Sequence, residues 1–354
     1  MKKQKVSSKK RHKIHAQKKA KRERTHNTRS YENNPEKKQQ QTKRIAFPER
    51  LDLMKNTRET LAFFDKLRKV ICVQKNKVFL DLKKCRYVSI ESCAVLAAEI
   101  QSCQRFGGRD VINGNFPNDT KLYSLLNELG FFKILEITHS PPFYGINADF
   151  AVFPIVNGAD NPEIIGKIQS FIEKNTDITT KHPQFSSSVF RALSESMLNV
   201  REHAYPNGFK NNYRSTEKRW WCSVVFEKSQ KKLLFVMYDQ GIGIPEHFMR
   251  KHTSIAKGLV KKFKLTNDCD KIDAAMNLGE SGVLEKGKGK GSGDMKNLIK
   301  ISKEGTLYVL SKGGKCVYSS NGKLSEKQSL PYPIEGTLII WLISLDQYRE
   351  TNKI

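Results

Sequence analysis

Little in this chain suits a membrane or an oxidising compartment. No apolar stretch approaches the ~18 residues that a bilayer-spanning helix needs, so no membrane span is expected. The N-terminus has no apolar core segment, so a secretory signal is not expected. It is rich in Lys and Gln without an apolar face, which argues against a mitochondrial presequence. The cysteines number seven, and no two have CxxC spacing. Most lie in apolar runs, as expected of buried, reduced thiols in a cytoplasmic protein. No Cys/His cluster has ligand spacing, so zinc is not expected. No internal repeat is visible. Acidic residues are scarce, at 36 Asp+Glu against 63 Lys+Arg, a net charge of +27.

That charge is uneven. Residues 1–44 hold 17 Lys/Arg and 3 Glu, or +14; the remaining 310 residues carry +13. Val6, Ile14 and Tyr31 are nearly the only large apolar side chains in the first segment. Such a segment buries too little surface to offset its ordering entropy, so residues 1–44 are expected to be a disordered basic tail. Seventeen cations without apolar anchors suit non-specific contact with nucleic-acid phosphates.

Residues 57–69 have Leu61, Phe64 and Leu67 on one helical face. Residues 77–82 read as a short buried strand. Residues 92–105 read as a helix stopped by Gly107 and Gly108. Residues 110–114 suggest another strand, and residues 119–129 a helix ending at Gly130. This alternation predicts a small α/β layer. With the strand VFLDL, the helix ESCAVLAAEIQSCQRFGG and the closing LLNELGFFKIL, residues 45–143 resemble a STAS-like domain, the fold of anti-anti-sigma factors. Regulatory members carry a Ser/Thr phospho-acceptor motif at the start of that helix. Ser89, Ile90, Glu91 and Ser92 stand there instead, where Ser and Glu suit an N-cap and first turn. Modification of Ser89 or Ser92 stays open.

Beyond Pro141 and Pro142, strands are expected over 151–156, 221–227, 233–238, 306–310, 316–319 and 336–343. Helices are expected over 161–174, 185–203, 255–263, 272–278 and 294–301. Hairpin connections predict an α+β unit with a mixed sheet. Three segments in it carry chemistry. Glu195, Asn199 and His203 follow one another at four-residue steps, on one face of a helix. An amide oxygen there can ligate Mg²⁺, and a carboxylate can take a proton from water or a hydroxyl. An apolar strand then delivers Asp239 to Gly241, Ile242, Gly243 and Ile244, where glycine permits close backbone approach. Lys288, Gly289, Lys290, Gly291 and Gly293 precede a helix whose N-terminus favours phosphate. A P-loop reading of Gly282–Lys288 fails, because Gly289 follows the lysine and no apolar strand precedes.

In this order the segments resemble the ATP site of the GHKL superfamily (gyrase, heat-shock chaperone, mismatch-repair and histidine-kinase ATPases). With Ala204 and Tyr205 after His203, they look most like the anti-sigma-factor serine kinases. The resemblance implies a GHKL two-layer α/β sandwich over residues 144–350, with a lid at 246–286 that orders over ATP. It implies Glu195 as base, Asn199 as the Mg²⁺ ligand, and Asp239 as acceptor for the adenine amine. Thr337, after Gly336, would join the adenine–Asp network, and His203, Gly241, Gly243, Ile244, Lys288, Gly289, Lys290, Gly291 and Gly293 would line the nucleotide. One departure stands out: Asp294 occupies a position where the family usually has an apolar residue.

Histidine kinases are set aside, because none of the eight His is followed by Asp or Glu. Gyrase and mismatch-repair ATPases need a transducer domain after the ATP domain, and heat-shock chaperones need a longer chain. The expectation is therefore an ATP- and Mg²⁺-dependent regulatory protein that hydrolyses ATP or phosphorylates Ser/Thr of a partner protein. A homodimer is compatible with it. The alternative is a nucleotide sensor or nucleic-acid-binding adaptor without turnover.

Overall fold

The computed structural model describes residues 41–137, 149–159, 161, 163–209, 218–251, 265–278 and 291–346. The expected tail, except its last four residues, lies outside them, as do the expected helix at 255–263 and Lys288, Gly289 and Lys290.

Order begins earlier than the apolar pattern suggests. Strand β1 (Thr42–Ala46) takes in the last basic residues of the expected tail. It pairs in parallel with β3 (Lys77–Asp81), Thr42 opposite Lys77 and Arg44 opposite Phe79. Arg44 Nε donates to Asp81 Oδ2 at 2.9 Å. Backbone pairing needs no apolar side chain, so a basic sequence enters the sheet edge. β3 also pairs in parallel with β5 (Ile112–Gly114), and β2 (Arg50–Leu51) pairs in parallel with β4 (Tyr87–Val88). Helices α1 (Thr57–Arg68), α2 (Ile90–Gly107), α3 (Thr120–Glu128) and α4 (Phe131–Ile134) complete this α/β layer. α1 runs on into a π-helical turn, Lys69–Val73.

Asp119 caps α3 as expected, its Oδ1 accepting the Leu122 N–H at 2.8 Å. Ser89 occupies the N-cap position of α2, but its side chain makes no cap bond. Its hydroxyl instead bonds Glu91 and, at 2.8 Å, Ser92. Ser92 Oγ accepts the Leu53 N–H at 2.9 Å. Ser89, Glu91 and Ser92 are all buried, so neither serine presents itself for modification in this conformation.

The second sheet has five strands in the order β6-β7-β8-β10-β9. They are β6 (Phe150–Gly158), β7 (Trp220–Glu227), β8 (Lys232–Asp239), β9 (Thr306–Ser319) and β10 (Leu324–Ser344). Every pairing in it is antiparallel, not mixed as expected. The two expected strands at 306–310 and 316–319 are one strand, with Lys312 at φ 52° within it. β10 starts twelve residues before the expected strand at 336. Its first half is polar and holds Pro331 and Pro333, and the register slips between Ser329 and Ile334, where proline cannot donate.

Both faces of this sheet are buried. On β7, Trp221 and Val225 point one way and Trp220, Cys222 and Val224 the other, the period of two that a strand imposes. Trp220, Val224, Met237 and Trp341 pack under α5 (Glu163–Asn175), α7 (Gln184–Asn199), α9 (Asp268–Leu278) and α10 (Gly291–Lys300). A short α6 (Ile178–Lys181) joins α5 to α7. Trp221, Val236, Tyr238, Leu338 and Ile340 share a core with Leu96, Ile100 and Phe131 of the N-terminal layer. The hydrophobic core therefore runs straight across the expected boundary at 143/144. The described residues from Thr42 onward form one compact unit.

Of the expected lid at 246–286, residues 246–251 and 265–278 are described and the rest lies outside the described residues. α8 (Ile244–Lys251) directly continues the glycine turn, and Phe248 is buried. α9 is core: Cys269, Ile272 and Met276 are buried. Polar ties add to this, Lys296 Nζ donating to Asn277 Oδ1 at 2.7 Å and Tyr318 OH to Asp273 Oδ1 at 3.2 Å.

Candidate functional site

α7 buries Phe185, Val189, Ala192, Leu193 and Ser196, which leaves Glu195 and Asn199 half-buried beside that face. The α-helix ends at Asn199, and Val200–Ala204 forms a π-helical turn. The expected single helix to 203 therefore changes type after Asn199, closing in a wider π turn. His203 stacks on His247 of α8, with ring centroids 4.6 Å apart.

A Cβ on Gly241 would lie 2.3 Å from the Ala204 carbonyl oxygen. That carbonyl accepts the Ile242 N–H at 2.8 Å. This close approach joins the turn to the end of the π turn. Gly243 takes φ +83° and Gly336 φ +66°, a region that other residues avoid. A Cβ on Gly336 would meet the Asp239 carbonyl oxygen at 2.1 Å.

Asp239 closes β8, directly opposite Thr337 on β10. It is only 8% exposed, and its Oδ1 accepts the Gly241 N–H at 2.8 Å. Burial pushes its carboxyl up to about 7, opposed by the Gly241 N–H, by the Lys312 charge and by the Thr337 N–H. Ser311 fastens the far side: its hydroxyl donates to Gly336 O at 2.7 Å and accepts the Ile244 N–H at 2.9 Å. It also lies 3.2 Å from Thr337 Oγ1. Ser311 was not singled out from sequence; its signal is only a lone polar residue ending an apolar strand.

Glu195 has its carboxyl raised, first by burial and then by the negative charges of Asp294 and Glu202. Asp294, the departure from the family pattern, is in the first turn of α10 and so acts electrostatically on the expected base. α10 starts at Gly291, so Gly291 and Gly293 are its first residues and not a loop before it. Ser292 Oγ, in the same turn, is closed to solvent and has no hydrogen-bond partner among the described residues. A helix N-terminus of this kind offers unpaired N–H groups to an anion. Asn199 makes no side-chain hydrogen bond among the described residues. No cluster of three acidic, His or Cys side chains that could hold a metal ion lies among the described residues.

The structure thus brings Asp239, Gly241, Gly243, Ile244 and Thr337 together in one turn network. The π turn that follows α7 is bonded to that network through Ala204, and Gly291 and Gly293 begin a helix packed on α7. Comparison with family models, with curated proteins and with solved structures finds no match to this chain.

Proposed function

We propose that this chain is an ATP-binding regulatory protein of the GHKL type, in which nucleotide state controls the grip on a protein partner. The observation that carries the reading is Asp239: a buried carboxyl at a strand end, held by backbone N–H groups and without a salt-bridge partner among the described residues. Burying such a group is costly unless something pairs with it, and an adenine amine is a fitting donor. The N-terminus of α10 would face phosphate. Asn199 would hold Mg²⁺, which when bound neutralises phosphate charge. Glu195, its carboxyl raised, would take a proton from water or from a Ser/Thr hydroxyl of the partner.

Titration calorimetry tests this. Wild type binds ATP. Asp239→Asn turns a donor toward the amine and weakens binding roughly 5–150-fold. Asn199→Ala weakens Mg-ATP more than metal-free ATP. Equal binding by wild type and Asp239→Asn, or binding by neither, overturns the assignment. A second reading, a nucleotide sensor without turnover, is favoured by Asp294, whose charge opposes ionisation of Glu195. Phosphate release and autophosphorylation with Mg-ATP separate the two.

A further inference from the structure

The residue between Asp239 and Gly241 is gripped from two sides. Gln240 is 4% exposed and its backbone N–H donates to Tyr205 OH at 3.1 Å. Tyr205 OH in turn donates to Arg219 O at 3.0 Å. The Gln240 side chain reaches the opposite way, through the sheet and into the N-terminal layer. There the Ser102 hydroxyl of α2 donates to Gln240 Oε1. Gln240 Nε2 donates to Glu99 Oε1 at 3.2 Å. Glu99 is 1% exposed and takes its charge partner from α1, Arg68 Nη1 donating at 3.0 Å.

These are buried polar groups among apolar neighbours, where hydrogen bonds are strong and an unmet partner is expensive. Four side chains, Arg68, Glu99, Ser102 and Gln240, satisfy one another from α1 through α2 to the turn. An amide can meet a hydroxyl donor and a carboxylate acceptor only when its plane is fixed. Fixing that plane fixes the backbone of Gln240, and with it the Asp239 carboxyl on one side and Gly241 on the other.

We infer that Ser102 and Glu99 of the N-terminal layer are positioning residues for the nucleotide site, acting through Gln240 to aim the Asp239 carboxyl at the base. The N-terminal layer is in this respect part of the site. Anything that shifts α2 alters adenine recognition, and bound adenine restrains α2 by the same factor. The inference rests on the nucleotide reading of Asp239 given above.

The test compares ATP with inosine triphosphate, which carries an oxo group in place of the amine that Asp239 would accept from. Wild type should prefer ATP. Ser102→Ala should lower ATP affinity about five- to tenfold, leave inosine triphosphate affinity unchanged, and so erode the preference. Ser102→Cys, nearly isosteric with a weak donor, should fall between the two and keeps the test readable if the alanine variant folds poorly. Gln101→Ala serves as control. Gln101 Oε1 accepts the Trp221 Nε1–H at 2.8 Å, another tie between the layers that does not touch the turn. It should lower the melting temperature with the preference intact. If Ser102→Ala and Ser102→Cys keep the wild-type preference, or weaken both nucleotides equally, the positioning role is wrong while the site stands. If wild type binds both nucleotides alike, the Asp239 assignment itself falls, and this inference with it.

Discussion

Adenine binding should depend on pH through Asp239 in a calculable way. The carboxyl is pushed up to about 7 by burial, and it already faces the N–H groups of Gly241 and Thr337. A further donor, the adenine amine, pairs with the ionised carboxylate. In the neutral acid one oxygen carries its own proton and must turn it toward a donor. The binding-competent fraction is therefore the ionised one, and apparent affinity scales with it. With a carboxyl titrating near 7, that fraction falls from about nine-tenths at pH 8 to about one-tenth at pH 6, an affinity loss of about tenfold. Adenosine is the ligand of choice, because it has no phosphate titrating in this range. Calorimetry at pH 8, 7 and 6 should show weakening toward acid and proton release on binding at pH 6. Asp239→Asn should bind weakly and with no pH dependence. A wild-type affinity flat from pH 8 to 6, or a slope retained in Asp239→Asn, would refute the reasoning.

Glu91 is fully enclosed and burial raises its carboxyl to about 7, so the folded state holds its proton more tightly than the unfolded chain. Its contribution to stability is complete below about 4.5 and is lost as pH rises through about 7. Glu91→Gln should raise the melting temperature at pH 8, by an effect worth at most roughly 3 kcal/mol, and not at pH 4.5. Melting curves at the two pH values decide it, and equal shifts at both would contradict it. At the proposed catalytic centre, Glu195→Ala should keep ATP binding and cut turnover by about 10²–10⁴-fold. Asp294→Asn removes a charge that raises the Glu195 carboxyl, so the acid limb of the turnover–pH profile should move to lower pH. Slow turnover insensitive to Glu195→Ala would favour the sensor reading. For the basic N-terminal segment, neutralising about six phosphates gives a log–log salt slope near −5 on duplex and −4 on single strands. The truncation should end at residue 40, since removing 1–44 would delete three residues of β1. Gel shifts at two salt concentrations should show most binding gone with ATP affinity unchanged. Equal binding with and without the segment would move the interaction to the basic folded part.

What the sequence determined by itself is local. Apolar residues at helical spacing placed α1, most of α2 and the body of α7, because burial of one helix face is written in a few neighbouring residues. The apolar runs of β7 and β8, and the stop at Asp239 before two glycines, placed the central strands and the turn. What needed the tertiary structure is everything set by backbone bonding or by groups distant in the chain. β1 and the first half of β10 are polar, and only their partner strands hold them extended. The π turn after Asn199 has no side-chain signature, yet it presents Ala204 O to Ile242. The close neighbour that Gly241 admits, the Ala204 carbonyl, comes from a turn distant in the chain. The electrostatic pairing of Asp294 with Glu195 joins residues about a hundred positions apart. So does the link from Ser102 to Gln240, 138 positions apart. Pattern reading sees side chains one or two turns away; which distant carboxylate or amide becomes a neighbour is decided only when the layers close on the sheet.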